Sequence, residues 1–256
     1  MVSVVTADAE VRIPTIPQLK FMRYARLSTL LLLIVPFCIL AQNTRPVSEF
    51  DPGLTVALDL SKRVRLDFAT GREKTEELSL AKWKVSGGVS IRFKPLRKTF
   101  LDLLDTDKKH QFVLGVAYEF SRTSDAGTTF REHRIMVDGT FRYTLPAKVL
   151  MTNRARFEFR WLQNEFHWRF RDRLFFERQL KIRKLKFTPF GGAEAVWDRR
   201  YTRWNIFKFT GGVQFRLIRR STLDLFYERQ HCVTCSDTNT NIVGITLNIY
   251  PLWKKK

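Results

Sequence analysis

Long apolar runs, cysteine and acidic residues are the scarce components of this 256-residue chain. No continuous apolar run reaches the roughly 18 residues that a membrane-spanning helix needs, which excludes a helical membrane protein. Three Cys are too few for a disulfide scaffold, and four His leave little room for a multinuclear metal site. With 12 Gly and 9 Pro, collagen-like and low-complexity chains are excluded as well. Acidic residues number 25 against 45 Lys and Arg, a formal balance of +20. What is plentiful is apolar and aromatic bulk: 44% of residues are hydrophobic, with 22 Phe, 6 Trp and 6 Tyr. That is enough for one large folded domain or two small ones, and the opposite of a disordered composition.

The N-terminus has the layout of an export signal. Lys20, Arg23 and Arg26 precede residues 27–41, LSTLLLLIVPFCILA, which are apolar apart from Ser28 and Thr29 and are followed by Gln42, Asn43 and Thr44. Basic flank, short apolar stretch and a small residue before the cut make a signal peptide over residues 1–41. Ile39 fits poorly two positions before that cut, so the site shifts by a few residues, and Met22 offers a more compact start. A buried core helix is the competing assignment. Cys38 as a lipid acceptor is disfavoured by bulky Phe37 before it. Removing residues 1–41 takes away Arg12, Lys20, Arg23 and Arg26 with Asp8 and Glu10, so a net +18 stays with the mature chain.

From Leu54 onward the hydrophobic period is two, the period of strands. Leu54, Val56, Leu58 and Leu60 alternate with polar or small residues, and Val64, Leu66 and Phe68 follow after a turn. Trp83, Val85, Val89, Ile91 and Phe93 continue the pattern, then Phe112 to Phe120. It is sharpest where Ile135, Val137, Phe141 and Tyr143 alternate with Arg134, Met136, Asp138, Thr140 and Arg142, and where Phe157, Phe159 and Trp161 alternate with Arg156, Glu158 and Arg160. Phe166, Trp168 and Phe170 do so with Arg169, Arg171 and Arg173. Stretches at 185–197, 204–217, 223–230 and 241–250 bring the count to eleven candidate strands. Short links at 145–148, 183–184 and 218–221 alternate with longer polar ones at 71–76, 122–129, 198–203 and 231–240. That asymmetry distinguishes periplasmic turns from outward loops in transmembrane barrels. Residues 94–109 are long on the short-turn side and are expected to hold a small helix around 100–104.

Alternation alone also fits a soluble exported β-sandwich, a binding module with its apolar faces together. The export signal, strands longer than the roughly 9 to 11 residues that cross a bilayer, and rows of Phe and Trp favour an all-β, antiparallel up-and-down transmembrane β-barrel after an N-terminal signal peptide. In lipid a sheet must close on itself to pair its backbone groups. An even strand number is expected for a single-chain bacterial barrel, giving 12 strands with residues 47–51 as the missing piece, or 10. Asp172 and Arg178 fall on the lipid side, a conflict that a bulge or a position outside the hydrocarbon would remove.

At EHRIMVDGTFRYTLP, TNRARFEFRW, RFRDRLFFER, TPFGGAEAVWD and LDLFYERQ, the chain resembles a bacterial outer-membrane β-barrel family catalogued as domain of unknown function 2490. The likeness spans residues 49–250 in outline and is best over 132–230. Arg134, Arg154, Arg156, Glu158, Arg160, Arg169, Arg171, Arg173, Glu177, Glu194 and Asn205 stand where the family pattern puts them. Ile206 departs, since an Arg commonly follows that Asn. The resemblance implies an outer-membrane barrel and the assembly machinery that inserts one; it supplies no activity and no catalytic residue.

The ionic face is the strongest constellation. Glu132, Arg134, Arg142, Arg154, Arg156, Glu158, Arg160, Arg169, Arg171, Arg173, Glu177 and Glu194 are the candidate lumen-lining residues of a closed barrel. Guanidinium forks and carboxylates pair across strands into a structural network. An excess of lumen Arg instead makes a narrow, porin-like, basic channel for small anionic solutes. Cys232 and Cys235 in HCVTC are the candidate disulfide; a metal held with His231, or two free thiols, are the alternatives. A lipid-modifying enzyme needs a Ser activated by His, and neither His133 nor His167 has a Ser at a fixed spacing, so the expectation is no enzyme and no cofactor. Basic loops and the Lys254, Lys255 and Lys256 tail suit membrane lipid and lipopolysaccharide phosphates in a Gram-negative envelope, whereas export removes nucleic acid as a partner.

Overall fold

Twelve strands occupy most of the computed structural model, which describes residues 47–75, 81–96, 104–125, 128–183, 185–218, 220–235 and 239–251. The expected signal segment, residues 1–41, and positions 100–103 of the expected short helix lie outside the described residues. The strands are β1 (Val47–Asp59), β2 (Val64–Thr75), β3 (Ala81–Arg92), β4 (Phe112–Asp125), β5 (Thr128–Leu145) and β6 (Val149–Leu162), then β7 (Glu165–Glu177), β8 (Leu180–Ile182), β9 (Leu185–Asp198), β10 (Arg203–Arg216), β11 (Ser221–Cys232) and β12 (Asn239–Ile249). Strands adjacent in sequence are paired except β7 and β8; β9 pairs with β7, β8 and β10, and β12 pairs with β1. One sheet closes on itself, so the fold is a barrel and not a two-layer sandwich.

Eleven strands form the ring. β8 is a three-residue continuation of β7 within the β7–β9 hairpin, pairing Leu180 with Phe187 and Ile182 with Leu185. The even ring count expected from the sequence therefore gives way to eleven, and residues 47–51 prove to be the first half of β1 rather than a separate strand. An odd up-and-down ring must bring its first and last strands together pointing the same way. β1 and β12 do pair in parallel, from Val47 opposite Thr240 to Val56 opposite Ile249, and the other ring pairs are antiparallel. The polar stretches read as outward loops at 71–76 and 122–129 are largely strand, because ladder hydrogen bonds continue irrespective of side-chain polarity. The β6–β7 link is a two-residue turn in which Gln163 and Asn164 both have positive φ, the type that matches strand twist.

The barrel is inside-out relative to a soluble protein. Phe141, Tyr143, Phe157 and Phe166 face outward at 42 to 52% exposure, while the alternate positions Glu158, Arg134 and Arg160 are buried. Aromatic side chains gather near both rims: Trp83, Trp161, Phe166 and Trp204 at one, Phe93, Phe112, Phe141 and Tyr143 at the other. This is the girdle pattern of transmembrane barrels. Register runs unbroken through Asp172, opposite Ala155 and Ala195, so no bulge removes it from the outer face. Its carboxylate instead accepts a hydrogen bond from Asn153 Nδ2 at 2.7 Å. Arg178 lies just past β7, in the connector at the rim.

Candidate functional site: the ionic lumen

Period-two alternation sends every second side chain of β5, β6, β7 and β9 inward, and register decides which charges meet. Arg156 stands opposite Arg171, Arg154 opposite Arg173 and Arg134 opposite Arg160. Like charges directly opposite are unfavourable, and carboxylates on the flanking strands, in the same row or the next, offset them. Glu158, 1% exposed, lies 2.7 Å from Arg171, 3.9 Å from Arg134 and 4.0 Å from Arg156. Glu194 serves Arg171 and, at 3.4 Å, Arg173. Asp138 takes Arg156 in a bidentate contact, with Nη2 to Oδ2 at 2.9 Å. Glu132 takes Arg160 and, at 3.0 Å, Arg134. Asp198 takes Arg169 and, at 2.9 Å, Arg200.

These walls surround a cavity of about 980 Å³. Of the candidate lumen residues, Arg134, Arg142, Arg154, Arg156, Glu158, Arg160, Arg169, Arg171, Arg173 and Glu177 line it; Glu132 and Glu194 are buried in the wall behind their arginines. The lining holds thirteen Lys and Arg and twelve Asp and Glu, so the interior as a whole carries little net charge. The positive excess is local. β6 and β7 present six arginines to the cavity, while β1 and β2, across the ring in strand order, present Glu49, Asp51, Asp67 and Glu73 with Arg65.

One rim is filled by part of the long link at 94–109, whose inward course sequence patterning did not foresee. After β3 the backbone pairs Lys94, Pro95 and Leu96 with residues 109–111 and then turns inward as a 3-10 turn, Thr106–Lys109. Asp105 caps the turn by accepting from the Asp107 amide at 3.1 Å and pairs with Arg65. Asp107 pairs with Arg92 and, at 3.3 Å, Arg65. Thr106 Oγ1 donates to Asp59 at 2.8 Å, Arg142 Nη1 donates to the Asp107 carbonyl at 3.0 Å, and Lys108 pairs with Glu177. Burial pushes the Asp105 carboxyl up, but Arg65, Lys108 and Arg142 outweigh it and hold it at about 2. Burial likewise opposes the Lys108 ammonium, and Glu177 and Asp105 reverse that, holding it above its ordinary value.

At the opposite rim Cys232 and Cys235 are joined by a disulfide, which leaves no thiolate there for a metal. Asn205, 1% exposed, sits at the register shift between Trp204 and Ile206 and fastens that loop. It accepts from Thr234 Oγ1 at 2.7 Å and, through its carbonyl, from the Val233 amide at 2.8 Å. The histidines have local partners: His133 Nδ1 lies 2.6 Å from Tyr118 Oη, His167 is 3.3 Å from Glu165, and His231 is 3.2 Å from Asn239.

The family model described as protein of unknown function DUF2490 matches residues 49–241, from the first carboxylate of β1 to the third residue of β12. The chain belongs to the DUF2490 family. The matched span takes in the whole ionic wall and the segment filling the rim. No curated protein matches this DUF2490 chain. Among solved structures it is similar to the β-domain of the Bordetella autotransporter BrkA, at 12% identity and a TM-score of 0.43, covering 72% of this chain and 82% of that one. The DUF2490 barrel is a closed ring of strands with apolar rows outward and an interior built largely from paired charges.

Proposed function

We propose that the protein resides in the bacterial outer membrane as a barrel whose lumen is closed at one end, so that its interior is a packed ionic network and not an open pore. The observation that carries this is the inward turn Thr106–Lys109, tied to four surrounding strands through Arg65, Arg92, Arg142 and Glu177. Charge-assisted pairs of this kind hold a segment firmly when several act together. The aromatic girdles and outward apolar rows support the membrane setting, and basic rim residues such as Arg63, Arg199 and Arg203 suit the phosphates of lipid and lipopolysaccharide.

Purified protein reconstituted in planar bilayers is expected to show almost no conductance. The double variant Asp105→Asn with Asp107→Asn, which releases Arg65 and Arg92, is expected to show small steps. Steady wild-type conductance equal to that of the variant would overturn the proposal, as would recovery of the processed protein away from the outer-membrane fraction.

A second reading, a narrow path for small anions, is favoured by the six arginines on β6 and β7. It predicts anion-selective wild-type steps whose selectivity shifts when Arg156 and Arg171 become Ala.

A further inference from the structure

The ion pairs of the arginine wall leave one member out. Arg134, Arg156, Arg160, Arg169, Arg171 and Arg173 each reach a carboxylate. Arg154, in the middle of β6 and facing the cavity, has no carboxylate within ion-pair distance among the described residues. Its cross-strand neighbours are Thr140 on β5 and Arg173 on β7. Arg173 reaches Glu194 only through Nε, at 3.4 Å and without hydrogen-bond geometry, and stacks over the Phe175 ring at 4.4 Å. One row toward the filled rim, Arg142 spends Nη1 on the Asp107 carbonyl, and its buried Nε lacks an acceptor. Three guanidinium groups with unused donors, and the hydroxyls of Thr140 and Thr152, therefore border one patch of the 980 Å³ cavity.

Burying a charge without a counter-charge is costly, and placing it beside two like charges adds to the cost. Water satisfies the donors but not the charge. An oxyanion satisfies both, and a guanidinium fork matches the oxygens of phosphate or carboxylate two at a time. Three forks around one patch favour the group with more oxygens and more charge, a phosphate.

We propose that Arg154, with Arg173 and Arg142, forms a phosphate-binding site inside the barrel, reached from the disulfide-bearing rim. It adds a ligand to the interior described above as closed at one end. The conductance measurement decides that closure, and the titration below decides the site, so either fails without the other.

The test uses the whole folded protein in detergent micelles at low ionic strength, titrated with sodium phosphate by calorimetry, with chloride and sulfate as comparison anions. Saturable binding of one phosphate per chain is expected. Arg154→Gln is expected to weaken it at least tenfold and Arg154→Lys less. Lys208→Gln, which removes a cavity-lining cation already paired with Glu228 at 2.7 Å, is expected to leave it unchanged. Folding of each variant is checked by heat-modifiable gel mobility. Phosphorus NMR line broadening on the unsubstituted protein, reversed by sulfate, gives the same answer without any variant. Glycerol 3-phosphate serves as a soluble lipid-headgroup probe: tighter binding than inorganic phosphate assigns the site to headgroups, and weaker binding assigns it to free phosphate. Phosphate binding no stronger than chloride binding, or unchanged in Arg154→Gln, overturns the proposal.

Discussion

At the filled rim, cations are surrounded by carboxylates; on the β6–β7 wall, carboxylates are surrounded by cations. Arg65 meets Asp67, Asp105 and Asp107, and Arg92 meets Asp59 and Asp107. Glu158 by contrast is shared among Arg134, Arg156 and Arg171, and Glu194 between Arg171 and Arg173. The same guanidinium–carboxylate chemistry yields two different properties. Where acids outnumber bases around a loop, Arg65, Arg92 and Lys108 are each held by carboxylates and the loop is locked. Where bases outnumber acids on a rigid wall, positive charge is left over and faces the cavity, which is how a fold with a nearly neutral lining still offers a place for an anion.

The sharpest way to break this comparison is to delete one hub and one surplus charge from the wall. Glu158→Ala removes a buried carboxylate shared by Arg134, Arg156 and Arg171, each left with fewer acidic partners, and is expected to cost about 3 to 5 kcal/mol. Arg154→Ala removes repulsion from Arg156 and Arg173 that exceeds its attraction to Asp138, and is expected to be neutral or stabilising. Denaturant unfolding in lipid vesicles, followed by tryptophan fluorescence, measures both, and equal losses would mean that the wall has no surplus. A somewhat smaller effect is expected from the outer face: Val137→Arg places a cation against acyl chains at mid-strand and should cost about 2 to 4 kcal/mol by the same assay. A loss no larger than that of Val137→Ala would put that face in water and remove the distinction between wall and exterior.

How much of this was legible beforehand follows from what alternation encodes. Each of the eleven periodic segments became a ring strand, because period two fixes both strand identity and which residues share a face. The rule of even strand number misled, since nothing in a hydrophobic pattern says whether the last strand meets the first in parallel. The arginines were visible as a row, but Arg154 as the unpaired one was not: pairing depends on register, which puts Asp138 opposite Arg156 and Glu194 opposite Arg173, and on diagonal neighbours such as Glu158 for Arg171. The link at 94–109 was noted as unusually long with a small helix expected around 100–104, but the inward turn at 106–109 was missed for a related reason. Asp105, Thr106, Asp107, Lys108 and Lys109 have the composition of a surface loop, and only the facing Arg65, Arg92, Arg142 and Glu177 give that polarity a use inside. Asn205 was noted as a family position, and its task of fastening the disulfide loop required the fold.

The lock at the filled rim also has an acid sensitivity that the wall does not share through loop charges. Asp105 is held at about 2 against an ordinary 3.8 by Arg65 on β2, Arg142 on β5 and Lys108 in its own turn. A carboxyl with a depressed pKa contributes its full stability above the ordinary value and loses it as pH falls toward the folded one. The closed state is therefore expected to persist at pH 5 and to weaken between about pH 4 and 2. Bilayer conductance recorded stepwise over that window is the measure, and Asp105→Asn is expected to show the acid behaviour already at neutral pH. Opening that instead followed pH between 6 and 8 would assign the lock to another group.

The smallest expected effect separates the two rims. The loop opposite the filled end is fastened covalently by Cys232 and Cys235, only three positions apart. Chain-entropy reasoning gives so small a ring at most about 2 kcal/mol. Reduction is expected to lower stability by no more than that, and Asn205 keeps its carbonyl contact with the Val233 amide without the bond. Because the two fastenings rest on different chemistry, acid is expected to release the turn at 106–109 and leave the disulfide loop in place, while reductant does the reverse. Conductance unchanged by dithiothreitol but raised at pH 3 would place the closure at one rim alone. If reductant alone produced the steps, the disulfide loop would be the closing element, and the contrast between locked rim and surplus wall would have to be redrawn around the wrong end of the barrel.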